Sequence, residues 1–73
     1  MEKKPWTVSP APVCSGAEFR ALRERLGYPR RALGMIIGRT LGAIARWEMG
    51  RTPVPLFAWR ILNELRPYDD DFQ

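Results

Sequence analysis

The chain has 73 residues, 45% of them apolar, and carries twelve Lys and Arg against eight Asp and Glu for a formal charge of +4. That length suits one small domain, with an expected stability of about 5 kcal/mol that association with a second copy would raise. With Cys14 as its one cysteine and no histidine, the sequence excludes an intrachain disulfide scaffold and leaves only carboxylates for most of a zinc site, so no metal or cofactor is expected.

Residues 1–14 hold Pro5, Pro10 and Pro12, show no period and read as an extended arm. Lys3 and Lys4 lack a following apolar stretch, so no signal peptide is expected there. No apolar run approaches the roughly 20 residues of a membrane span. The expected location is therefore cytoplasmic, with no membrane partner.

Ser15 stands three residues before Glu18, the spacing at which each side chain satisfies the other's free backbone N–H. Phe19, Leu22 and Leu26 follow at helical spacing, which predicts a first helix over 16–26 with Gly27 as its left-handed stop. Pro29 supplies a helical φ for a second helix over about 29–37, with Leu33 and Ile37 on one face. Gly38 closes it, and only Gly38, Arg39 and Thr40 separate it from the next. Thr40 is a good cap for a third helix over about 41–48, with Ile44 and Trp47 on its inner side and Gly50 after its end. Val54 avoids the α region before Pro55, so a fourth helix starts at Pro55. Its stripe of Phe57, Ala58, Ile61, Leu62 and Leu65 runs to about Arg66, where Pro67 stops it. Residues 68–73, with the run Asp69, Asp70 and Asp71, read as a loose acidic tail. Strand patterns and repeats are absent, so the expected fold is all-α: a small four- to five-helix bundle over 15–67.

Between Ala17 and Arg66, ten arginines stand against Glu18, Glu24, Glu48 and Glu64. Five of them, Arg30, Arg31, Arg39, Arg46 and Arg51, surround the second and third helices, with no acid between Arg25 and Trp47. A solvated basic surface is the plain reading. The concentration around two helices favours a surface facing phosphates.

Two short helices joined by a glycine-led turn have the geometry of a helix-turn-helix, in which Gly34 permits close approach, Gly38 makes the turn, and Ile44 and Trp47 fill the wedge. The stretch LRERLGYPRRALGMIIGRTLGAIARWEMGRTPVP, Leu22 to Pro55, resembles the Cro/C1 (Xre-like) regulators of phages and bacteria, whose fold is lambda-repressor-like. The match lies in the leucine-arginine pair, a glycine before the second helix, a small residue within it, the turn glycine and the closing tryptophan-glutamate-x-glycine. The resemblance implies a sequence-specific binder of double-stranded DNA. Such a regulator acts as a homodimeric repressor on an inverted-repeat operator, including the antitoxin or anti-CRISPR-associated types, without enzymatic activity or a small-molecule effector. It puts Thr40, Leu41, Gly42 and Arg46 on the base-reading side of the third helix. Arg30 falls near phosphates at the start of the second, and Arg51 near the backbone after the third. It also makes Arg23 and Glu48 a buried structural pair.

Three departures matter. Pro29 replaces the usual hydroxyl cap. Arg39 replaces a buried valine, so either the turn is looser or Arg39 turns outward. Leu41, Gly42 and Ala45 offer few hydrogen-bonding groups, leaving Arg46 as the first candidate for a guanine contact, Arg39 as the second, and Leu41 and Ala45 for thymine methyls. A different class of reading uses Met35, Ile36, Leu56 and Trp59 as a protein-docking surface for a toxin or transcription-machinery partner. Cys14 reads as an inert thiol, because no histidine is present to activate it.

Overall fold

Caps and glycines divide the chain. The computed structural model describes residues 13–68, and the arm up to residue 12, with Lys3 and Lys4, and the acidic run from Asp69 onward lie outside them. In α1 (Gly16–Leu26) the Ser15 hydroxyl accepts the Glu18 N–H at 2.9 Å, and the Ser15 N–H donates to Glu18 Oε1 at 2.7 Å. Gly27 ends the helix at φ 87°, in the left-handed region, where its N–H returns to the Arg23 and Glu24 carbonyls.

Two expected boundaries shift at prolines. Pro29 has ψ 155° and stands outside α2 (Arg30–Ile37), and Pro55 has ψ 151° and stands outside α4 (Leu56–Glu64). Each proline therefore fills the capping position rather than the first helical one, and neither offers a side-chain cap. The third helix, α3 (Leu41–Glu48), is capped as expected, with Thr40 Oγ1 accepting the Ala43 N–H at 3.1 Å. The α4 helix stops earlier than Arg66. Leu65 is already extended at ψ 147°, and the chain beyond it is recruited elsewhere.

That recruitment corrects the picture of a loose tail from residue 68. The Tyr28 hydroxyl donates to the Arg66 carbonyl at 2.5 Å, the Tyr68 N–H donates to the Leu26 carbonyl at 2.7 Å, and the two tyrosine rings lie 5.0 Å apart. Cys14 is corrected as well: it is buried in the core, not part of a free arm.

Each helix contributes one large fully buried side chain to the centre, Phe19, Leu33, Ile44 and Leu62, and α4 adds the smaller Ala58. Full burial of such a side chain is worth about 1.5–3 kcal/mol. Trp47 meets Phe19 edge-on at 5.7 Å, and Trp59 lies 6.5 Å from the same ring. The α3 helix packs on both α2 and α1, and α4 closes against α1.

Two glycines make those approaches feasible. A Cβ on Gly34 would lie 2.7 Å from the Arg39 carbonyl oxygen, and the Gly34 carbonyl itself accepts the Gly38 and Arg39 N–H groups. The residue pressed against Gly34 is thus the turn, and α3 follows from it. A Cβ on Gly16 would fall against the Trp47 and Glu48 carbonyls, a close approach the sequence did not signal. Among the described residues there are four helices and no strand, and no helix is long and apolar enough to cross a membrane.

Candidate nucleic-acid interface

The α3 helix has two unlike sides because its apolar residues recur at helical spacing. Ile44 and Trp47 are buried, which turns Leu41 and Arg46 outward and leaves Gly42 and Ala45 half-buried at the surface. Thr40, at the helix start, is exposed, with its hydroxyl engaged by the Ala43 amide.

Beside this side lie the flanking arginines. Arg31 and Arg51 are exposed, and the Arg51 N–H folds the loop back by donating to the Arg46 carbonyl at 2.9 Å. Among the described residues Arg31, Arg39, Arg46 and Arg51 make no ion pair. They leave α3's outward side and its approaches uncompensated in charge, the arrangement that attracts a polyanion.

Arg39 resolves one expectation. The turn is tight, since Gly38 takes φ 84° and the Arg39 N–H reaches the Gly34 carbonyl at 2.8 Å. The side chain is turned out. Its guanidinium lies 4.8 Å from the centre of the Phe57 ring and donates to the Gly38 carbonyl at 3.1 Å. A cation over an aromatic face is worth about 0.5–1 kcal/mol at an exposed site, so the stacking steers Arg39 without locking it.

Arg30 is partly withdrawn from the role of a free phosphate contact. Its Nε donates to Glu48 Oε1 at 2.9 Å, while its side chain stays 38% exposed. Glu48, whose side chain is 1% exposed, also receives Arg23 through both Nε and Nη2, at 2.5 and 3.1 Å. Arg23 is buried and gives its Nη1 to the Tyr28 carbonyl at 2.9 Å. The expected pair is therefore a triad. It ties the end of α3 to α1 and to the start of α2, and a carboxylate so enclosed is tolerable only because two cations satisfy it.

Comparison with family models, curated proteins and solved structures gives no match to this chain.

Elsewhere the charges are superficial. The Arg20 guanidinium, hydrogen-bonded at 2.9 Å, holds the Glu24 carboxyl below its ordinary range, and both side chains face solvent. Burial, and secondarily the charge of Glu18, push the Cys14 thiol up. Among the described residues no three His, Cys, Asp or Glu side chains gather closely enough to hold a metal ion.

The geometry brings Thr40, Leu41, Gly42, Ala45 and Arg46 onto one side of α3. It keeps Gly34, Gly38, Ile44 and Trp47 in the packing that presents that side. Trp59 does not join Met35, Ile36 and Leu56 as an exposed apolar surface, because it packs against Phe19 and is only partly accessible. Sequence reasoning missed the Arg30–Glu48 contact, the stacking of Arg39 on Phe57 and the Tyr28–Tyr68 pair. None of the three carries a local signal, because each joins residues far apart in the chain.

Proposed function

We propose that this protein is a sequence-specific, double-stranded DNA-binding regulator of the helix-turn-helix type, with α3 entering the major groove. The observation that carries the reading is the outward side of α3: Leu41 and Arg46 exposed, Gly42 half-buried between them, and Arg31, Arg39, Arg46 and Arg51 without an ion pair among the described residues. Arg46 is the base-reading candidate, through a bidentate contact to guanine, and Leu41 and Ala45 suit thymine methyls. Arg31, Arg51 and the free edge of Arg30 suit phosphates, which position without specifying. On this reading the chain works in the cytoplasm as a homodimeric repressor, its two α3 helices about 34 Å apart on an inverted-repeat operator.

Anisotropy titration against duplex DNA selected from a random pool, run across salt, tests it. Six to ten neutralised phosphates predict an affinity loss of roughly 10³–10⁵ between 50 and 200 mM salt. A chain that ignores duplex DNA at the lowest salt overturns the reading.

One observation favours a second reading, a protein-docking module of the same fold. Met35 is 79% exposed, and Ile36 and Leu56 are exposed with it. Under that reading Arg46→Ala leaves partner binding unchanged, and Met35→Ser abolishes it.

A further inference from the structure

Tyr68 forms one wall of an open groove of about 560 Å³ whose other walls come from α2, the start of α3 and Arg23 of α1. Arg30 and Arg31 supply a cationic side, and Ala32, Met35 and Leu41 an apolar one. Nothing among the described residues covers the apolar side, where Leu41 is 52% exposed and Met35 more so. Among the described residues Arg31 makes no ion pair, and Glu48 engages Arg30 through Nε alone, so no described carboxylate meets its terminal nitrogens.

Tyr68 is anchored at this groove by its N–H bond to Leu26 and by its ring against Tyr28. The residues that follow it are Asp69, Asp70, Asp71 and Phe72. Three carboxylates and then an aromatic ring are the complement, in charge and in polarity, of the groove at whose edge the segment starts. A four-residue segment can reach at most about 13 Å from Tyr68, itself a wall of the groove. Tethering at Tyr68 sets an effective concentration in the millimolar range, so even a weak intrinsic affinity populates the docked state.

We propose that Asp69–Phe72 docks in cis in this groove, its carboxylates on Arg30 and Arg31 and the Phe72 ring against Met35 and Leu41, and so competes with a polyanion for the same arginines. The docking stands on the groove and the segment alone; the competition rests on the DNA-binding reading. Surface ion pairs are weak and screened, so the docked state is partial and salt-sensitive.

The test compares amide and arginine Nε–H chemical shifts of the whole chain with those of Phe72→Ala and of the triple variant Asp69→Asn, Asp70→Asn, Asp71→Asn, at low salt. The expected result is that signals of Arg30, Arg31, Met35 and Leu41 move in both variants, independently of protein concentration. Random-sequence duplex is then bound about 2–10-fold tighter by both, as expected when between half and nine-tenths of the competent state is released. Unmoved groove signals overturn the docking, whatever the DNA affinity does. An effect of the aspartates without one of Phe72 reduces it to general charge repulsion and overturns it also. Shifts that grow with protein concentration replace the cis segment by a second copy. If the groove signals move as expected while no variant binds duplex, the docking holds and the DNA-binding reading fails.

Discussion

The inner and outer sides of α3 are built from the same eight residues and have opposite physical characters. Inward, Ile44 and Trp47 are buried against the other helices, and Glu48 is enclosed by Arg23 and Arg30. Outward, Leu41, Gly42 and Arg46 touch little, and Arg46 makes no ion pair among the described residues. Stability therefore belongs to one side and recognition is available to the other. A helix held this firmly from behind can vary its front without unfolding, and that separation is open to direct attack.

The largest expected effect comes from breaking the inner side. Arg23→Ala removes two bonds from a buried Glu48 carboxylate and one from the Tyr28 carbonyl. Removing one partner of such a group costs about 3–5 kcal/mol, most of the stability of a small domain. Urea denaturation should show the variant largely unfolded at 37 °C. A loss below 1 kcal/mol would mean that the carboxylate is hydrated and the enclosure is not what holds α3.

Arg46→Ala should give the opposite result on the same helix. Unfolding free energy should stay within about 0.5 kcal/mol, as for surface substitutions generally. Binding to a preferred duplex should weaken by about 1–3 kcal/mol, with discrimination lost at one base pair. Equal weakening on all sequences would move Arg46 from base reading to phosphate contact.

Gly42→Ala sharpens the comparison further. A Cβ there meets nothing nearer than the Arg46 Nη1 at 3.5 Å. Gly42 is the second residue of α3, where alanine mainly removes glycine's extra freedom in the unfolded chain, about 0.4–1 kcal/mol, so thermal denaturation should show a small gain. The methyl group projects from the outer side, so duplex affinity should change in the same variant. A stabilised protein with altered DNA binding is the signature of two separable sides.

The smallest effect concerns Cys14. Its thiol is raised by burial and by Glu18, so the native protein should react slowly with iodoacetamide at pH 8 and rapidly after denaturation. A group raised on folding contributes stability that is present below its unfolded value and lost as pH climbs through the folded one. Stability should accordingly decline above about pH 9, and a Cys14→Ser variant should decline less over that window. Equal reaction rates in native and denatured protein would place Cys14 at the surface.

Much of the fold is legible in the sequence. Ser15 with Glu18, Thr40, and the glycines at 27 and 38 are local signals. Caps and left-handed stops depend on a few neighbouring residues, so the sequence alone determined where α1 and α3 begin and end. The alternation that buries Ile44 and Trp47 also determined which side of α3 faces out. Prolines misled in both places because φ near −70° suits the capping position as well as the first helical one, and only ψ distinguishes them.

What tertiary structure decided depends on groups far apart in the chain. Arg30 lies 18 residues from Glu48, and the Tyr28 hydroxyl 38 residues from the carbonyl it bonds. No periodicity reports such meetings, because they follow from the angles at which whole helices pack. The burial of Cys14 and the anchoring of Tyr68 have the same origin: distant partners offered bonds and contacts that outweighed local preference. The sequence thus determined the helices and the outward side of α3. Only their packing decided which arginines are already engaged and which are free to meet a partner.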